Sequence, residues 1–201
     1  MRHPGTQNIL TPRLLLRRAA PADAENCALH WASDPLVYRH ISATPKTQRE
    51  MEVFLASVEA AYADPATYYW LIQLRSSPDI IGALFVDDLS ERSRWCEVDY
   101  QLGSAYWGRG YATEALGAAL DYLFRRALFH RVQGKCVMGN RASARVMEKC
   151  GMVREGTLRG WYWNEGAQGW EDVALYAALQ EDASAPCPSK IRLNEKGSLL
   201  L

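Results

Sequence analysis

Glu97, Asp99 and Gln101 alternate with Cys96, Val98, Tyr100 and Leu102 along one short run. Alternation with period two marks a strand, so both carboxylates fall on the same face of it. Two acids this close raise one pKa by mutual repulsion, which suits a proton acceptor, or else attract a cation. Directly after the run stands Trp107-Gly108-Arg109-Gly110-Tyr111-Ala112-Thr113. A helix pattern follows, with Ala115, Leu116, Ala119, Leu120, Leu123 and Phe124 on one side. A helix start offers unpaired N–H groups and the positive end of the helix dipole. Glycines let a phosphate approach that backbone closely. The same arrangement also serves as a plain tight connection, and both readings stand at this point.

Two familiar phosphate loops are excluded. Gly-x-x-x-x-Gly-Lys-Ser/Thr does not occur. The dinucleotide fingerprint needs a third glycine three positions after Gly110, where Thr113 stands. A nucleotide-dependent enzyme is therefore a poor reading of this loop.

The elements that must position these residues follow from pattern. Arg13 to Arg18 reads as a first strand, and Pro21 onward, through Cys27, Ala28 and Trp31, as a helix stopped by Asp34-Pro35. Thr47-x-x-Glu50 is a capping box opening a helix with Met51, Phe54, Leu55, Val58 and Tyr62 on one face. Tyr68–Leu74 and Ile80–Val86 read as strands joined by Ser76-Ser-Pro-Asp79. His130–Met138 is a further strand, and residues 142–149 a short helix stopped by Gly151. Met152–Trp163 and Trp170–Leu179 read as a closing hairpin. The expected fold is α+β on one central sheet: a single domain over 1–181, then a loose tail over 182–201.

Composition bounds the function classes. The chain has 201 residues, with Lys+Arg and Asp+Glu at 23 each, so no net charge points to nucleic acid or an anionic membrane. No apolar run reaches the roughly 18–20 residues of a membrane span, and the first residues lack a signal peptide's apolar region. Five cysteines (27, 96, 136, 150 and 187) form no Cys-x-x-Cys pair, and the four histidines show no metal spacing. A cytoplasmic protein without a metal is expected, as a monomer or homodimer.

The order strand, Tyr106-Trp-Gly-Arg-Gly-Tyr-Ala-Thr-Glu-Ala115, helix, strand, Asn140-x-x-Ser143-x-x-Val-Met-Glu-Lys-Cys-Gly-Met152, closing hairpin resembles the GNAT superfamily of N-acetyltransferases. Within it the chain looks most like the ribosomal-protein N-terminal acetyltransferase branch. The likeness runs from Arg13 to Leu179 and includes Arg159, Trp161 and Trp170-Glu171-Asp172. The superfamily's Gln/Arg-x-x-Gly-x-Gly/Ala departs here only at its first position, Trp107.

The resemblance implies a mostly antiparallel sheet flanked by helices, with acetyl-CoA as co-substrate and a primary amine as acceptor. It places the pyrophosphate on the backbone of Trp107, Gly108, Arg109, Gly110, Tyr111, Ala112 and Thr113, and the pantetheine against Gln101, Leu102 and Gly103. Asn140 would hold a pantetheine amide, or merely cap a helix. Ser143 would protonate the departing thiolate, and Glu97 would be the base. Trp31, Tyr38, Asp99 and Trp163 would touch the acceptor, although aromatics in paired strands also serve as plain packing. The acceptor would be a protein N-terminus or a small amine such as a polyamine, aminoglycoside or amino-acid conjugate. The alternative is a GNAT-fold module that binds CoA without catalysis.

Overall fold

The computed structural model describes residues 3–41, 43–166 and 168–182. One sheet of eight strands runs in the order β1-β2-β3-β4-β5-β6-β8-β7. Its strands are β1 (Ile9–Leu10), β2 (Leu14–Arg17), β3 (Tyr69–Leu74), β4 (Ile80–Ser90), β5 (Trp95–Leu102), β6 (Arg131–Val137), β7 (Val153–Asn164) and β8 (Gly169–Leu179). Every neighbouring pair is antiparallel except β5 and β6. That one parallel pair requires a crossover, and α3 (Tyr111–Arg125) provides it.

The helices cover both faces. α1 (Ala24–Cys27) continues as a π-helical turn, Ala28–Ala32, and packs with α2 (Gln48–Ala61) on one face. α3 and α4 (Arg141–Lys149) lie on the other. The capping box forms as read: Thr47 N donates to Glu50, and Glu50 N to Thr47 Oγ1. β3 shows why its run was apolar throughout. Tyr69 and Leu71 enter the α1/α2 core beside Met51 and Leu55, while Trp70 and Ile72 enter the α3 core beside Leu14 and Leu16.

β4 is longer than the apolar run that announced it. Asp87, Asp88, Leu89 and Ser90 continue it past Val86, with a bulge at Asp87 where the register to β5 shifts. Exposed aspartates hid this extension, because the strand's end faces solvent rather than core. Gly151, at φ +83°, closes α4 at the left-handed position expected of it. The tail read over 182–201 lies outside the described residues, apart from Asp182.

Candidate active site

β5 and β6 pair only through Trp95–Arg131, Cys96–Val132 and Glu97–Gln133. Beyond that point β5 stays on β4 as far as Leu102–Gly82, while β6 goes with β8 to Val137–Val173. The sheet therefore splits open after Glu97. The two sides of the split present different chemistry.

The backbone along the split follows from register. Gly103 N donates to Ile81 O at 2.9 Å, which turns Gly103 toward β4. Alternation turns Gln101 and Asp99 the same way, and leaves Val98, Tyr100 and Leu102 with backbone groups directed at the open side. Gln101 and Gly103, expected as backbone partners of the donor, thus face β4 rather than the open side. Leu102 faces the split, but its carbonyl already accepts the Trp107 indole N–H at 2.7 Å. The Trp107 side chain thus folds back to hold the strand end rather than the loop ahead of it.

The glycine loop has the form of an anion cradle. Gly110 is the N-cap of α3 in the left-handed region (φ +79°), and Gly108 stands at φ +72°. Residues 107–110 are exposed, and a Cβ at Gly108 would meet nothing within 4 Å. An exposed N–H array at a 15-residue helix start, with open space before it, fits a pyrophosphate. Gly103 has a different purpose. A Cβ there would lie 2.0 Å from the His30 carbonyl, so glycine allows the π-helical turn to press on the strand end.

On the α3/α4 face, Asn140 caps α4 by accepting Ser143 N at 3.1 Å. Ser143 Oγ lies 2.8 Å from the Tyr100 phenol, which also reaches Ser143 O at 3.1 Å. Burial pushes the Tyr100 phenol up, against the lowering effect of its Ser143 contact. Tyr100 was read only as an apolar-face residue. A buried phenol needs a partner, and that requirement was the signal available.

On the α1/α2 face, Glu97 is 6% exposed and both its oxygens are taken. Oε1 lies 2.8 Å from Lys135 Nζ, and Oε2 accepts Gln133 Nε2 at 2.9 Å. Lys135 Nζ in turn sits 4.7 Å from the centre of the Trp161 ring. Asp99 lies one step further into the split, and among the described residues none donates a hydrogen bond to it. Burial first, then the charges of Glu97 and Asp87, push its carboxyl up to about 6, against the lowering pull of Lys135. Across the strand, Asp99 is the register partner of Phe85, whose ring stacks on Tyr69 at 5.5 Å. Phe85, Tyr69, Val58, Ala61 and Asp87 line a cavity of about 340 Å³ on this side.

The remaining expected acceptor contacts separate. Trp31 and Tyr38 are 3% and 8% exposed. Trp31 belongs to the α1/α2 core, and the Tyr38 hydroxyl donates to Ala32 O at 3.0 Å, so both build the wall of that face rather than its surface. Trp163 packs edge-on against Trp170 at 5.3 Å within the β7–β8 hairpin. Trp161 and Trp170 keep more than half their surface exposed. Among the described residues, no group of His, Cys, Asp and Glu could hold a metal ion.

The acetyltransferase (GNAT) domain model matches residues 13–153, and the chain belongs to that family. It is an acetyltransferase of the N-acetyltransferase kind. YnaD of Bacillus subtilis (strain 168), an uncharacterised N-acetyltransferase, is 31% identical over 176 residues, covering 87% of this chain and 98% of the relative. The [ribosomal protein uS5]-alanine N-acetyltransferase of Escherichia coli (strain K12) is 24% identical, covering 87% and 91%. The crystal structure of a GNAT-family acetyltransferase from Bacillus anthracis superposes with a TM-score of 0.76 at 27% identity, covering 87% of this chain and 99% of that one.

Proposed function

We propose that this acetyltransferase uses acetyl-CoA and passes the acetyl group directly to the α-amine at a protein N-terminus. The split after Glu97–Gln133, with an anion cradle at its lower end, is the observation that carries the reading. Acetyl-CoA would supply an acetyl group activated as a thioester. Its pyrophosphate would be held by the N–H groups of Arg109 to Thr113, and its pantetheine would lie along the open side of Val98 and Tyr100. A strand N–H facing the split would stabilise the charge that develops on the transferring carbonyl oxygen, an effect of about 3–4 kcal/mol in comparable sites.

Asp99 is the base in this reading, in place of Glu97. A general base needs an available lone pair and a pKa near the working pH. Each oxygen of Glu97 already holds a partner, Lys135 or Gln133, whereas Asp99 accepts no side-chain hydrogen bond from the described residues and its carboxyl is raised to about 6. At pH 7 an α-amine of pKa about 8 is already roughly a tenth neutral, so a base of that strength is sufficient. A lysine amine, near 10.4, would ask far more of it. Ser143, backed by Tyr100, would give a proton to the departing sulfur from the opposite face.

Three of the thiols are poor candidates for an acyl-enzyme: Cys27, Cys96 and Cys136 are buried, and burial pushes each of them up, away from the thiolate form. The relative that acts on ribosomal protein uS5 favours an N-terminus over a small amine. The test is thiol release from acetyl-CoA with N-terminal peptides, polyamines and aminoglycosides in parallel. Release with peptides bearing a free N-terminus is expected. Release with polyamines or aminoglycosides alone would overturn the acceptor assignment.

A further inference from the structure

Arg13 lies at the head of β2, far in sequence from the glycine loop, yet its side chain ends there. Nε donates to Glu114 Oε2 at 2.6 Å, and Nη1 donates to the carbonyl of Arg109 at 2.9 Å. Its guanidinium carbon stands 4.6 Å from the centre of the Tyr111 ring. A Cβ on Gly110 would come within 3.4 Å of Nη2. The planar fork of arginine makes these contacts together, which an ammonium cannot do.

The far end of the fork is itself fixed. Glu114, 6% exposed in the first turn of α3, also accepts Thr11 Oγ1 at 2.6 Å and the backbone N of Arg13 at 2.9 Å. The near end determines a direction. The Arg109–Gly110 peptide is trans, so its C=O and the Gly110 N–H point to opposite sides. A carbonyl tied to Arg13 sends that N–H away from β2. Glu114 would otherwise set an uncompensated negative charge in the turn where an anion has to dock.

We propose that Arg13 is a positioning residue for the pyrophosphate, holding the Arg109–Gly110 peptide so that Gly110 N–H faces the cradle and neutralising Glu114 behind it. The proposal rests on the acetyl-CoA reading of the loop and extends it to a residue outside the loop. It concerns a contact with the loop's outer side, not with the acceptor or the thioester.

The test is the affinity of wild type, Arg13→Lys and Thr11→Val for CoA by calorimetry, and for pantetheine, which lacks the pyrophosphate, by NMR titration. Arg13→Lys keeps the charge and loses the fork. Its CoA Kd should rise about tenfold or more while its pantetheine Kd stays at the wild-type value. Thr11→Val removes a donor to Glu114 and leaves the Arg109 carbonyl held, so its CoA Kd should not change. Arg13→Lys binding CoA like wild type, weakening both ligands equally, or being matched by Thr11→Val would each overturn the clamp. Wild type that does not bind CoA would overturn the donor reading and the clamp with it, a result distinct from the other three.

Discussion

Lys135 Nζ stands 2.8 Å from Glu97 Oε1, and that contact separates two carboxylates that one strand presents on one face. Glu97 is bound into a pair with its other oxygen also occupied, whereas Asp99, two residues on, keeps its oxygens for the split in the sheet. The predicted consequences start there.

Asp99→Asn should lower kcat by about 10²–10⁴, the usual contribution of a general base, with little change in CoA affinity. Glu97→Gln should have a smaller effect, because it loosens Lys135 without removing the proton acceptor. The wild-type rate should rise with pH through about 6 as Asp99 ionises. A rate profile flat between pH 5 and 7, or a larger loss in Glu97→Gln than in Asp99→Asn, would return the role to Glu97.

The same carboxyl should weaken the fold. Its folded pKa, about 6, lies above the unfolded value, so the folded state binds more protons between them and stability falls as pH rises through that window. The cost above pH 6 is on the order of 3 kcal/mol. Asp99→Asn should therefore raise Tm at pH 8 and leave it nearly unchanged at pH 4, read by thermal denaturation at the two values. A Tm increase at pH 4 as large as that at pH 8 would contradict the assignment.

Ser143→Ala and Tyr100→Phe break the same contact from its two ends. Each should reduce kcat by about tenfold or more, and the double variant should be little worse than either single one, as for groups acting as a unit. Asn140→Ala should instead cost stability, about 1 kcal/mol for a lost N-cap. Additive rate losses for Ser143 and Tyr100 would show that they act apart.

Gly110→Asp adds a Cβ toward Arg13, an anionic head, and a left-handed residue that is not glycine. CoA binding by calorimetry should fall below detection, and unchanged affinity would contradict a phosphate at this helix start.

Most of the framework was legible because it rests on local rules. The Thr47 capping box, the Gly151 stop and the apolar faces of α2 and α3 each need only neighbours in sequence. Gly108 and Gly110 were legible as well, since a left-handed loop before a helix asks for glycine. What stayed hidden depends on partners brought in by the fold. Nothing near Glu97 announces Lys135 and Gln133, which arrive on the one parallel strand. Trp31 reads as an acceptor contact until the α1/α2 core takes it in, Tyr38 likewise until its buried hydroxyl finds Ala32 O, and Arg13 reads as the flank of a strand until α3 brings Glu114 to it. The bulge at Asp87 was equally silent, because it falls among exposed aspartates past Val86, where the apolar run that marks the strand has ended.

The most direct measurement is mass spectrometry of both products after incubating the protein with acetyl-CoA and a peptide bearing a free N-terminus and an internal lysine. One acetyl group on the peptide α-amine, none on the lysine, free CoA in equal amount and an unmodified enzyme mass are expected. Acetylation of the lysine side chain alone, or an acetyl group retained on the enzyme and then passed to the peptide, would contradict direct transfer to the α-amine.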